Sequence, residues 1–505
     1  MWTQALSHPF LLLVGCALLI ELVSRLLPRS SAGGPASQYA RRLSTVPVLL
    51  YVAILGFYLL TPAYEDHVEP SVTAVSWAIV QGQPAYPDPD GPAMYGLPYG
   101  PMLFLANGLT MRVLGPGLAS SKVAGCAAAL ASLLLVAIAL RRAPVPDRRA
   151  ALALMPLLYL TFGAASFWVR AEPLLLLCAA ASVLSVTVPA LPAVVVAGVS
   201  LGLATNLKVS APIYLIPALA LLWRRHGLPA AVGVVAISAV IAAAPFLVSG
   251  TFSPSTYLYW LGSAASEGVR IQGIPGALER AAFLSMPLLM AAGDRRCDKE
   301  LSGMTLFRVT LVASMLLSLP AAIKHGTGPY HFLPFVPSVV YAGRLRTWLL
   351  IRPSAMIAAC VTIAFVALSM WVPPVTALPG RQIVEELRHL ERLHAGTSAM
   401  GYSAAYRPSF FRPVLVFDGQ PYVLDSASVM DWHWRGRPFP PAVIDGLRKC
   451  AVQTWMLPRG APPFQLPNAY PVAGDIFPEE FRLAFQENYV LETRGQWFDV
   501  WRCGR

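Results

Sequence analysis

Val46-Pro47-Val48-Leu49-Leu50-Tyr51-Val52-Ala53-Ile54-Leu55-Gly56-Phe57-Tyr58-Leu59-Leu60-Thr61-Pro62 carries no charge, and one residue later the chain reads Tyr64-Glu65-Asp66-His67-Val68-Glu69-Pro70. The flanking basic residues are as far away as Arg42 and Arg112. An apolar run of this length approaches the roughly 20 residues that cross a bilayer. The acids therefore stand at a membrane edge, on the face that basic residues avoid.

The rest of the chain repeats the apolar pattern. Of 505 residues, 56% are hydrophobic and 13% charged, against about 25% charged in soluble domains. The expected architecture is a polytopic α-helical membrane protein with about twelve transmembrane helices, at residues 9–27, 46–62, 119–140, 150–166, 173–188, 191–206, 209–223, 229–249, 281–293, 303–322, 332–343 and 354–371. Those near 281 and 332 are short and fit re-entrant segments as well.

The net charge of +12 is distributed by topology and not by a nucleic-acid surface. Basic residues gather in alternate loops: Arg25, Arg29, Arg41 and Arg42; Arg141, Arg142, Arg148 and Arg149; Arg224 and Arg225; Arg295, Arg296 and Lys299; Arg344, Arg346 and Arg352. Such loops are cytoplasmic by the positive-inside rule. Both the amino terminus and everything after Trp371 are then expected outside a cytoplasmic membrane. Residues 1–10 lack a basic residue, and Glu21 can pair with Arg25, so the first span reads as retained and not as a signal peptide.

Two domains follow: a membrane module over residues 1–371 with a long first outer loop at 63–118, and a small extracytoplasmic α/β domain over 372–505. In the loop, 101–114 reads as a helix lying flat at the outer interface. The outer loop at 250–280, rich in aromatic and small residues, reads as a flexible flap. In the tail, helices are expected at 382–393, 441–449 and 479–488, and strands at 414–417, 422–424, 452–457 and 497–501. Cys450 and Cys503 alone among seven cysteines fall there, where oxidation is open to them.

Pro70 suits the first position of a helix ending near Gly82, with Val72, Val75 and Ile79 on one face. Asp66 and Glu69 then precede its positive end, which favours ionised carboxylates and suits a general base. A solvated interfacial turn is the plain alternative. Other ionisable residues sit where outer loops meet spans: Arg170 and Glu172, Lys208, and Lys324 with His325. Charged groups at that depth are usually paired or face a cavity, and snorkelling is the competing account. Arg170 and Glu172 are able simply to pair with each other. Convergent cations would hold a phosphate, whose departure needs a counter-charge more than a proton.

These motifs resemble the GT-C superfamily of integral-membrane glycosyltransferases, which includes the protein O-mannosyltransferases and the lipid A aminoarabinose transferases. The resemblance rests on Glu65-Asp66-His67-Val68-Glu69, Gly82-Gln83-Pro84-Ala85-Tyr86, Tyr99-Gly100-Pro101-Met102-Leu103, Arg170-Ala171-Glu172, Gly202-Leu203-Ala204-Thr205-Asn206-Leu207-Lys208 and Tyr330-His331-Phe332-Leu333. It implies transfer of a sugar from a polyprenyl-phosphate donor to an acceptor at the outer face, with inversion, and an acidic first-loop residue as base. That role falls on Asp66 first, with Glu69 and Glu65 as alternates, because the order here reverses the family's Asp-Glu pair and inserts a histidine. Substrate contacts fall on His67, Tyr99, Arg170, Glu172 and Lys208, and on Lys324, His325, Tyr330 and His331.

No cofactor is expected: His67 and Glu69 are two possible ligands for a divalent metal, too few for a signature. The cytoplasmic loops hold no glycine-rich phosphate motif, which favours a lipid-borne donor over a nucleotide sugar. A transporter or flippase is the rival class, and it calls for ionisable residues deep within spans. Beyond Glu21 and the edge residues these spans hold almost none. A scaffold whose tail binds a cell-envelope partner is the third possibility.

Overall fold

The computed structural model describes residues 45–143, 145–266, 268–292, 303–343, 379–394, 396–470 and 472–504. Its chain passes back and forth between two compact units. Described residues 45–59, 125–242 and 269–343 make up the first, and 60–124, 243–268 and 379–504 the second.

The first unit is helical. Leu118–Ala139, Ala190–Leu207 and Ile216–Val248 are long and apolar enough to cross a membrane, and Val46–Leu60, Ala171–Ser185 and Met304–Leu317 are shorter apolar helices. The spans expected at 9–27 and 354–371 lie outside the described residues. The pair expected at 209–223 and 229–249 meets at Gly227, whose φ of 71° interrupts Ile216–Val248 beside Arg224 and Arg225. Where a span was expected at 332–343, a 3-10 turn Pro329–Phe335 precedes a short helix Val336–Gly343. Pro334 and Pro337 account for this, since each removes an amide donor from the ladder. Small residues let helices approach: a Cβ on Gly198 would lie 2.7 Å from Cβ of Ile237, the close packing that small side chains permit in membrane bundles. Ala193, Ala197, Leu222, Ala230 and Val234 fill the same seam.

The second unit contains a four-stranded sheet of order β1-β2-β4-β3, with β1 Ser398–Met400, β2 Thr454–Pro458, β3 Tyr489–Arg494 and β4 Phe498–Cys503. β1 pairs with β2 in parallel, while β4 runs antiparallel to both neighbours. Central β2 is buried throughout, and edge β3 alternates after its first residue, as strands with two covered faces and one covered face should. Helix Gly380–Leu393 lays Ile383, Leu387 and Leu390 on Met400, Met456, Phe498 and Val500, the spacing of one helix face.

Helices Pro441–Arg448 and Glu479–Asn488 lie where the sequence places them. Three expectations for this unit are corrected. Residues 414–417 are no strand but part of a short helix, Pro413–Phe417, because Pro413 supplies a preset first turn. Residues 422–424 form no strand: Leu424 makes only an isolated bridge to Met94. The segment read as a flexible flap holds helix Pro254–Ala265, whose Ser253 side chain caps Thr256 N. Trp260 of that helix is buried and donates from Nε1 to Pro87 O at 2.9 Å. A Cβ on Gly96 would fall 2.0 Å from its ring, so only glycine admits this contact. Cys450 and Cys503 are joined in a disulfide with Cα atoms 5.9 Å apart.

Candidate active site

The acidic turn opens helix Val68–Val80, two residues earlier than Pro70 suggested. Proline is tolerated at the third position because the first-turn amides have no intrahelical acceptor in any case. Instead of one apolar face, the helix is buried nearly all round, with Ser71, Thr73 and Ser76 inaccessible alongside Val72 and Val75. Glu69 thus falls inside the first turn and not before it.

The three acids of this turn differ in what holds them. Glu69 is 0% exposed, and its Oε1 accepts Glu65 N at 2.8 Å and Asp66 N at 2.9 Å. It binds the turn to the helix. Asp66 stays 23% exposed; its Oδ1 accepts Val68 N at 2.9 Å and its Oδ2 lies 3.5 Å from Nδ1 of His67, which is 39% exposed. That carboxylate is oriented by Val68 N and stays partly exposed. Glu65 is half-buried, and burial, reinforced by the Glu69 charge, pushes its carboxyl up to about 7, although Lys122 and Arg407 pull the other way.

Residues that carry no visible signal in sequence fasten this turn. Lys122, fully buried, donates from Nζ to Thr61 O at 2.7 Å and Ala63 O at 2.6 Å, just ahead of the acids. Arg412, 1% exposed, donates from Nη2 to His67 O at 2.8 Å and to Ser71 Oγ at 2.5 Å. Its charge is met by Asp425, whose Oδ1 lies 3.2 Å away and also accepts Ser71 Oγ at 2.6 Å and Tyr422 OH at 2.7 Å. A buried ion pair holds only if its remaining hydrogen bonds are satisfied; here Tyr422 OH, Ser409 O and Ser428 N satisfy some of them, and His67 O and Ser71 Oγ others. Tyr99 belongs to the same unit; it is buried, and its carbonyl accepts Tyr86 OH at 2.7 Å.

The cations belong to the first unit, where most of them gather around one carboxylate. Glu172, at the start of helix Ala171–Ser185, accepts Lys208 Nζ at 2.5 Å and Trp168 Nε1 at 2.8 Å. Arg170 Nε is 4.0 Å from it, so Arg170 and Glu172 do pair, with Lys208 the nearer partner. The Arg170 guanidinium lies against the rings of Trp168 and Tyr330, 4.3 and 4.9 Å from their centroids, and donates to Tyr330 OH at 2.8 Å. His331 stacks on Tyr330, and its Nδ1 meets Tyr214 OH at 3.2 Å while Nε2, buried, has no hydrogen-bond partner. Lys324 is near enough to act on the charges of both Lys208 and His331. His325 follows it in the turn before Gly326. Arg170 and Lys208 act on the charge of Glu172, and together with Lys324 on that of His331. Among the described residues no three His, Cys, Asp or Glu side chains converge as a metal site requires.

No protein-family model matches this chain, and no curated protein matches it. Solved structures do. ArnT from Cupriavidus metallidurans bound to undecaprenyl phosphate aligns with a TM-score of 0.58 over 90% of this chain and 98% of its own, at 11% identity. The chain has the GT-C fold. The apo form of the same ArnT aligns over the same shares with a TM-score of 0.52 and 11% identity. ArnT is a lipid A aminoarabinose transferase.

Proposed function

We propose that this protein is a membrane glycosyltransferase that takes a sugar from a polyprenyl-phosphate carrier and passes it to an acceptor at the outer face of the cytoplasmic membrane. The observation that carries the reading is the division of labour among the acids. Glu69 is buried and accepts two backbone amides, whereas Asp66 is oriented by Val68 N and remains 23% exposed. In this reading Asp66 takes the proton of an acceptor hydroxyl as its oxygen attacks the anomeric carbon. The bond from that carbon to the phosphate oxygen breaks, and its electron pair leaves with polyprenyl phosphate. The leaving group is already a weak base, so it needs positive charge and no proton donor, the role given to Arg170, Lys208 and Lys324. The ArnT structure holding undecaprenyl phosphate supports the donor class. The Cys450–Cys503 disulfide supports an extracytoplasmic second unit, since such bonds persist in oxidising compartments.

Asp66→Asn keeps the shape and the bond from Val68 N but cannot accept a proton. Reconstituted with a polyprenyl-phosphate sugar, it is expected to lose transfer by about 10²-fold or more while still binding donor. Near-normal turnover would remove Asp66 from the chemistry.

A further inference from the structure

Gln496 and Trp497, in the hairpin turn between β3 and β4, and residues 404–408 line an open cleft of about 580 Å³ together with Arg459. Its walls are fixed. Trp497 N donates to Glu386 Oε1 at 2.8 Å, and Trp497 O accepts Arg459 N at 2.8 Å. Arg459 Nη1 donates to Gly495 O at 2.7 Å, and Ser403 Oγ ties Ala405 N to Pro458 O. The Trp497 indole Nε1 has no hydrogen-bond partner. Tyr406 and Arg407 also reach the acidic turn: the charge of Arg407 acts on Glu65, and that of Asp66 acts on Tyr406. The cleft therefore adjoins the carboxylates within one unit.

Its side chains suit one class of ligand. Trp497 offers a flat apolar surface, Gln496 offers an amide for hydroxyls, and two guanidinium groups match the geometry of a carboxylate or phosphate. An uncharged lipid chain would use none of the three polar groups. We propose that this cleft holds the acceptor, an anionic saccharide whose acid group meets Arg407 and Arg459 while a sugar ring rests on Trp497. The word acceptor rests on the glycosyltransferase reading; the binding of an anionic saccharide does not.

The test is calorimetric titration of the full-length protein in detergent, without donor, using tetragalacturonate, glucose 1-phosphate and neutral maltotetraose. One anionic probe is expected to bind at least about tenfold more tightly than maltotetraose, a difference of roughly 1.4 kcal/mol, and the two anionic arms tell carboxylate from phosphate. Arg459→Ala should weaken that probe about tenfold. Because Arg459 also secures the hairpin turn, Gln496→Asp serves as a second variant: it adds a negative charge at an exposed position and should repel the anion without disturbing the fold. Equal affinity for charged and neutral probes, indifference to Gln496→Asp, or failure of all three probes to bind would overturn the proposal. If binding holds but Asp66→Asn transfers sugar normally, the cleft stands and the assignment of the base falls.

Discussion

Glu65, Asp66 and Glu69 share one turn yet differ in what each substitution should do. Glu69→Ala strips the acceptor from two part-buried amides, each charge-assisted bond being worth about 1.5–3 kcal/mol. A clear fall in melting temperature should result. Glu69→Gln keeps an oxygen in place and should cost much less; loss of transfer with unchanged melting would show Glu69 to be chemical and not structural. Glu65 is held near 7 against an ordinary 4.5, so the folded state binds its proton more tightly than the unfolded chain. The stability this contributes is full below the ordinary value and drains away as pH rises through about 7. Glu65→Gln should match wild type near pH 4 and exceed it at pH 8 by about 1 kcal/mol, after allowance for solvent screening. Melting curves across that range check the sign. In the other unit, Lys208→Ala removes the near partner of Glu172 and should raise the donor KM about tenfold with little change in acceptor KM. Equal rises for both substrates would take Lys208 out of the phosphate role.

At the scale of elements, the first turn of helix Val68–Val80 is held by the Arg412–Asp425 pair. Asp425→Ala leaves a guanidinium buried without its counter-charge, a change that costs about 3–5 kcal/mol. Arg412→Met with Asp425→Leu should restore much of that stability, because a well-packed apolar pair replaces a buried ion pair at little cost. Transfer should stay low in the double variant, since nothing then holds His67 O. Recovery of both properties would reduce the pair to a structural element. None of this docking was legible in the chain. Arg412 and His67 are 345 residues apart, and Lys122 sits in an apolar run 59 residues from Ala63. What was legible had a local cause: the apolar period of Gly380–Leu393, and the prolines that open Pro441–Arg448 and Pro101–Leu114. Residues 414–417 failed because an unbroken apolar run has no period to separate strand from helix. β1 is three residues without a β-branched side chain, and β3 follows helix Glu479–Asn488 with no turn residue between them, so neither announced itself. The acids and most of the cations stood out because charge is conspicuous at the edge of apolar segments.

For the molecule as a whole, the second unit is assembled from three stretches of chain, so it is not a tail that can be cut away. Met94 N and O bond to Val423 O and Asp425 N at 2.7 and 2.8 Å, and Gly96 O accepts Ser428 Oγ at 2.8 Å. The loop that carries Asp66 therefore shares its compartment with the sheet. That makes the Cys450–Cys503 bond a reporter for the acids as well. It closes a loop of 53 residues, a constraint worth about 4 kcal/mol in the chain-entropy model. In a variant that keeps only these two cysteines, an impermeant maleimide should label neither in intact cells until a mild reductant is added, and then both. Cys450→Ser should in turn lower the melting temperature. If labelling required opening the membrane, the sheet and the acidic turn with it would face the cytosol, where a lipid-borne sugar at the outer leaflet is out of reach.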